Sequence, residues 1–450
     1  MIVKNIAGKA VSALTVIVLL LSTSMTARAD RDQDDTWAAT WGTAVKAPTA
    51  VFDPPAVTVD DITIRQIVRI SVGGKKFRVW FTNEFGTAPL TIKAAHIARR
   101  EIDSAIMPGS GRSLAFGGHA TITIPPGGKV LSDPVKLRAP DLAELAISMH
   151  IADDFSATQS PVTFHVRALQ TNYVVSGAET DAETLPGAAE VTQWYFLSGV
   201  DVAVRQPIPV LVALGDSITD GDQLAAPDEP IDLNHRYTDF LAELIVAHPG
   251  KRHGKLAAVV NAGISGGQAT DTLIGESALA RLDRDVIART GATHLLFLEG
   301  INDIGLPALL DLLFGADTLL AIYGRAFPLI EAEQIIAGHQ QVIARAKAAG
   351  LKVIGATLTP AGNSLPGYFG SPADEKRAAV NDWIRHSGAY DIVIDFDRLL
   401  ADPENPGVML PSLTADGLHP NSDGYRAMAK EVYRKLFRSH RHDDDRDDRD

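Results

Sequence analysis

The chain has 450 residues, nearly half of them apolar, a formal charge of −13 and no cysteine. That length calls for two or three domains, and an acidic balance without a basic stripe interleaved with aromatics argues against nucleic acid as a partner. The missing cysteine excludes disulfides, thiol chemistry and a cysteine-borne lipid anchor.

Residues 1–29 have the pattern of an export leader. Lys4 and Lys9 give a positive start, Val11 to Leu21 an apolar core, and Ala27-Arg28-Ala29 small residues for cleavage before Asp30. The apolar core is too short to span a bilayer comfortably, and no other segment is long enough. The expectation is an exported protein, periplasmic or secreted, with no membrane span in the mature chain.

Residues 36–204 carry a β pattern. Val68, Ile70 and Val72 alternate with polar residues, as do Phe77, Val79 and Phe81, and Gly73-Gly74 between them predicts a hairpin. Short runs recur at 90–95, 120–124, 145–151, 163–169 and 193–197 between Pro- and Gly-rich turns, which predicts a β-sandwich or jelly roll. His96, His119, His150 and His165 lack metal-ligand spacing and are expected to be ordinary core or surface residues.

Arg205-Gln206-Pro207-Ile208-Pro209 is the expected linker. Strand-like runs at 210–214, 256–260, 293–298, 352–358 and 392–396 then alternate with helical patterns at 237–247, 269–289, 331–349, 374–386 and 421–437. This predicts a parallel sheet in a three-layer α/β/α domain over 208–438. Residues 439–450 mix acids and bases without apolar residues and are expected to be a solvated, disordered tail.

Four polar blocks interrupt this second region, the first three each directly behind an apolar run: Gly215-Asp216-Ser217, Asn261 to Gly267, Glu299 to Asp303, and Thr414 to Asn421. Open α/β sheets place ligand crevices beyond the carboxyl ends of their strands. A serine there is a nucleophile only if a base takes its proton. Together the blocks resemble the SGNH (GDSL-type) hydrolases, with Ser217, Gly266, Asn302 and His419 at the four naming positions and Asp416 at the usual acid position. The resemblance covers about 208–437. It implies a serine esterase with Ser217 as nucleophile, His419 as base and Asp416 orienting it. The implied oxyanion hole is the backbone N–H groups of Ser217 and Gly266 with the Asn302 amide, and no cofactor or metal is implied. Asp216 and Asp303 are expected to make supporting hydrogen bonds. The Trp-x-x-x-Trp start and Arg-Gln-x-Val-Arg strand of the β region resemble the module of a xylan-cluster arylesterase-like subgroup, which points to acyl groups on carbohydrate or to aryl esters.

Rivals remain at this level. Gly263-Ile264-Ser265-Gly266-Gly267 fits the nucleophile elbow Gly-x-Ser-x-Gly, with Ser265 attacking and Asp395 or Asp416 orienting His419. Lipid or lysophospholipid esters are alternative substrates, and a non-catalytic secreted carbohydrate-binding protein is an alternative of another class. A metal site has no His-Glu-x-x-His support. The segment 306–330 is rich in Leu but broken by Pro307, Gly315, Gly324 and Pro328. It is expected to form a short helical cap lining an acyl or aryl pocket, against the alternatives of a packing helix or a subunit interface.

Overall fold

The computed structural model describes residues 35–49, 52–223, 231–248, 256–325, 327–364 and 370–437. The expected leader over 1–29 and the tail over 439–450 lie outside these residues. Among the described residues no helix is long and apolar enough to cross a membrane.

The first half of the chain is all β. Its main strands are β1 (Thr36–Gly42), β2 (Ile62–Arg69), β3 (Gly74–Asn83), β4 (Ala94–Arg99), β5 (Glu144–Ile151), β6 (Asn172–Ser176) and β7 (Leu197–Val204). One sheet contains β1, β7 and β3 side by side; the other runs β6-β2-β5-β4. Alternating residues of both sheets, among them Ile64 and Val68 of β2, Phe77 and Val79 of β3 and Ile147 of β5, share one apolar core. Burying each such side chain stabilises the fold by about 1.5–3 kcal/mol relative to exposure.

The hairpin expected over 68–82 does not form. β2 pairs with β5 and β6, while β3 pairs with β7 in the other sheet. A two-residue hairpin turn needs left-handed backbone at its first central residue, and neither Gly73 nor Gly74 adopts it. Gly73 instead permits close approach, because a Cβ there would lie 2.2 Å from the Pro140 carbonyl carbon.

The second half holds five parallel strands: β8 (Val210–Gly215), β9 (Ala258–Gly263), β10 (Ala292–Leu298), β11 (Lys352–Ala356) and β12 (Ile392–Ile394). Their order is β9-β8-β10-β11-β12, all paired in parallel. All six residues of β8 are buried, as expected of an unbroken apolar run flanked by strands on both sides. The chain leaves β8 for β9 on one side and then crosses to β10 on the other. A crevice therefore opens beyond the carboxyl end of β8, at the switch point of the sheet.

The helices are α1 (Ser217–Asp220), α2 (Tyr237–Ala247), α3 (Ala278–Leu282), α4 (Ile301–Phe314), α5 (Ala316–Tyr323), α6 (Ala332–Ala348), α7 (Ser371–His386), α8 (Phe396–Leu400) and α9 (Ser422–Phe437). The helix expected over 269–289 starts only at Ala278, capped by Ser277, and ends in a π-helical turn over Asp283–Ile287. The backbone N–H groups of Ala269 and Thr270 are taken by the Asp303 carboxylate, which pins that stretch as a loop beside the crevice. By its contacts Trp37–Asp450 is one compact unit, although its apolar residues fall into separate cores.

Candidate active site

Ser217 opens α1, two residues beyond β8, and Asp216 caps that helix by accepting from the Ile218 N–H at 2.9 Å. His419 and Asp416 lie on the loop before α9, so the local sequence of that loop must aim them back. It does so through Asp416 and Thr414. Asp416 Oδ1 accepts from the backbone N–H groups of Leu418 and His419, at 2.9 and 2.7 Å. The Thr414 hydroxyl donates to the His419 carbonyl and accepts from the Gly417 N–H. The loop is a closed Asx-type turn.

The result is a continuous chain of side chains. Asp416 Oδ2 is 2.6 Å from His419 Nδ1, and His419 Nε2 is 2.9 Å from Ser217 Oγ. An ionised carboxylate only accepts, so Nδ1 carries the proton and Nε2 keeps the lone pair that faces the serine hydroxyl. Burial alone would raise the Asp416 pKa. The hydrogen bond and electrostatic attraction of the His419 ring and the two loop N–H groups outweigh that and bring it down to about 2. The carboxylate is thus anionic at any ordinary pH.

Gly266 follows β9 with φ +74°, and a Cβ there would stand 2.5 Å from Ile274 Cδ1. Both the left-handed backbone and the lack of space demand glycine. Asn302, in the first turn of α4, is buried and donates through Nδ2 to the Gly267 carbonyl at 2.8 Å. That bond orients the amide on the Gly266 loop. Ser217, Gly266, Asn302, Asp416 and His419 all line one cleft of about 540 Å³. The five residues expected to act together are therefore brought together.

Beneath them lies a buried acidic group. Asp303 accepts from Ala269 N, Thr270 N and Thr270 Oγ1. Asp216 Oδ2 and both Glu299 oxygens accept no hydrogen bond among the described residues. Burial pushes Asp216 up to about 7 and Glu299 well above the usual carboxylate range, with the two charges also opposing each other. Arg281, itself fully buried, stands 3.5 Å from Glu299 and donates to the Gly215 and Ala262 carbonyls, tying the ends of β8 and β9 together.

Ser265 also lines the cleft, but its hydroxyl donates to Asp222 and its N–H to Asp220. Asp395, the rival's other acid, caps α8 and pairs with Arg385. Neither is bonded to His419.

His165 is more than an ordinary core residue. Its Nε2 is 3.0 Å from Asp220, and neighbouring Arg167 bonds Asp222 at 2.6 Å. Burial would raise Asp220, yet His165, Arg236 and Arg167 hold it below its ordinary value. The cue was legible: Asp216, Asp220 and Asp222 crowd one short stretch, and buried acids need distant partners. The cap segment is partly as expected. Leu306 and Leu309 of α4 line the cleft, one and two turns beyond Asn302. Leu312 and Leu313, further along, are 65% and 61% exposed.

A parallel sheet carrying a hydrogen-bonded Asp–His–Ser chain beyond its central strand ends is the arrangement of an acyl-transferring hydrolase. Residues 213–427 match the GDSL-like lipase/acylhydrolase family. That region is a GDSL-like lipase/acylhydrolase domain, and the chain is a carboxylic ester hydrolase. Among solved structures, a GDSL-like lipase from Bacteroides thetaiotaomicron is 18% identical, with 52% of this chain and 89% of that one covered and a TM-score of 0.34. An acetyl xylan esterase is 20% identical over 50% of this chain and 98% of that one, with a TM-score of 0.34. A variant of an acetyl-xylooligosaccharide esterase from Geobacillus Stearmophilus is 18% identical over 52% and 97%, with a TM-score of 0.36. No curated protein matches the chain.

Proposed function

We propose that the protein is an exported serine esterase that cleaves carboxylic esters through an acyl-enzyme on Ser217, acting on acyl groups of carbohydrate or on aryl esters. The observation that carries this reading is the Asp416–His419–Ser217 chain at 2.6 and 2.9 Å. Ser217 Oγ attacks the ester carbonyl carbon as its proton passes to His419 Nε2. The carbonyl oxygen gains the negative charge, facing the Ser217 and Gly266 N–H groups and the Asn302 amide. Collapse expels the alkoxide, which takes the proton back from Nε2. Water then repeats the sequence on the acyl-enzyme and releases the acid. Asp416, anionic throughout, holds the imidazole tautomer and stabilises the imidazolium that forms.

The reading divides the chain into a leader over 1–29, a β module over 36–204, a catalytic domain over 208–438 and a charged tail. The catalytic domain is read as three-layered, in keeping with α2 packing on α9 and α6 on α7. The apolar cleft residues Ile274, Leu306 and Leu309 favour one second reading, lipid esters cleaved by the same mechanism.

The test is a fluorophosphonate label mapped by peptide, followed by a panel of acetyl-xylan, feruloyl, aryl and glyceryl esters. The label is expected on Ser217, and Ser217→Ala is expected to lose turnover by about 10³-fold or more, since members of such a chain act as a unit. A label on Ser265, or turnover surviving in Ser217→Ala, sinks the assignment.

A further inference from the structure

The cleft is not built by the catalytic half of the chain alone. Phe52, Asp53, Val166, Leu169 and Gln193, all from the all-β half, line it together with Ser217 and His419. Two separate devices hold these residues there.

The first is a buried ion pair. Lys46 Nζ bonds both Asp53 oxygens, at 2.8 and 2.6 Å, with side chains only 2% and 3% exposed. Asp53 also accepts from the Thr49 N–H, while the N–H groups of Phe52 and Asp53 donate to the Thr49 carbonyl. Thr49 Oγ1 donates to the Ile274 carbonyl at 2.9 Å, and Ile274 is the residue that abuts Gly266. On its other side Phe52 meets Phe314, at the far end of the Asn302 helix, edge-to-face with centroids 6.4 Å apart. The turn that carries Phe52 is therefore tied to the Ile274 carbonyl, and its ring rests on Phe314, the last residue of α4.

The second device is the segment before β6. Leu169 has φ +49°, a left-handed backbone that costs a leucine roughly 1–3 kcal/mol. It is held by Arg236, whose Nη2 donates to the Arg167 and Ala168 carbonyls at 3.0 Å each and whose Nε donates to the Asp220 carbonyl. Strain kept at a cleft wall by a buried clamp is a built feature.

His419 must protonate the leaving oxygen, so the alcohol part of an ester lies on its side. The acyl part then lies away from His419, and the apolar residues Ile274, Leu306, Leu309 and Phe52 of the same cleft are available to receive it. We propose that the all-β half supplies part of the acyl subsite, with Phe52 a specificity-determining residue for apolar acyl chains longer than acetyl; the proposal rests on the Ser217 acyl-enzyme reading above. A folded catalytic half on its own would present that subsite open on one side.

The test is the ratio of kcat/KM for p-nitrophenyl octanoate to that for p-nitrophenyl acetate, in the full chain. The ratio is internal to each sample, so a variant that folds incompletely still reports it. Phe52→Ala is expected to lower the ratio about tenfold, as loss of one well-packed apolar contact does. Phe52→Leu, which keeps apolar bulk, is expected to restore it to within about threefold. A ratio unchanged in Phe52→Ala, in enzyme whose Ser217 still takes the fluorophosphonate, overturns the Phe52 contact and leaves the function standing. A raised ratio also overturns it, since Phe52 would then block the chain. Wild-type enzyme that turns over acetate but not octanoate overturns the apolar subsite. Wild-type enzyme that hydrolyses neither ester and takes no label overturns the function and this proposal with it.

Discussion

On the all-β side of the cleft, charge is buried as a closed pair. Burial draws the Lys46 ammonium below its ordinary pKa, Asp53 works against that, and both charges keep a partner. On the parallel-sheet side, Asp216 and Glu299 are buried with the Arg281 guanidinium near them and Asp303 is held by the Thr270 hydroxyl and loop N–H groups, and burial raises all three. The difference separates anchoring from chemistry. A matched pair fixes a turn. An unmatched acidic group must hold protons, and by holding them it lowers the negative field beneath donors that would receive an oxyanion.

The contrast can be pressed hardest at Asn302. If the parallel-sheet side supplies the donors, Asn302→Ala should lower kcat by roughly 10²- to 10³-fold with little change in KM. A normal kcat alongside a lowered unfolding midpoint would make Asn302 a structural bridge to Gly267 and nothing more.

The all-β side is tested by Asp53→Ala, which leaves Lys46 buried without its partner. The expected cost is about 3–5 kcal/mol in urea unfolding, much of it recovered when Lys46→Met is added. If that side only anchors the fold, the octanoate-to-acetate ratio stays put as stability falls. If it is also a wall of the cleft, the ratio falls with it.

The smallest effect concerns pH. Asp216 stands at about 7 in the fold against an ordinary 3.8, so between those values the folded protein holds a proton that the unfolded chain has lost. Its contribution to stability is complete below the ordinary value and disappears as pH rises through 7. Asp216→Asn has no such proton to lose. Its thermal midpoint, relative to wild type, should therefore rise between pH 5 and pH 8. A difference that is flat over that range would mean that Asp216 is ionised in the fold throughout.

What the sequence revealed and what it hid follow the same division. Ser217, Gly266 and Asn302 each sit just behind an apolar run, and such runs mark strand ends without any knowledge of distant contacts. His419 and Asp416 are three residues apart and orient each other locally, so their pairing was legible too. The placing of β2 and β3 in different sheets was not, because alternation is the same whether two strands share a sheet or face each other across a core. The loop at 269–277 has a helical pattern, but Asp303, more than thirty residues away, takes its first amides. Phe52 and Leu169 carry no local mark at all. Their place at the cleft depends on an ion pair and a guanidinium clamp that join positions far apart in the chain.

That clamp has a consequence for how the molecule comes apart. Arg236 satisfies carbonyls of Arg167 and Ala168 on one side and of Asp220 on the other, and His165 and Arg167 meet Asp220 and Asp222 beside it. Parting the two halves would strand two guanidiniums, an imidazole, two carboxylates and two carbonyls at once, each costing on the order of 1–3 kcal/mol until water reached it. Neither half can loosen by small steps while the other stays intact. The expected consequence is that the two larger apolar cores melt as one cooperative transition, with loss of far-ultraviolet circular dichroism and loss of esterase activity falling at the same temperature in one thermal scan.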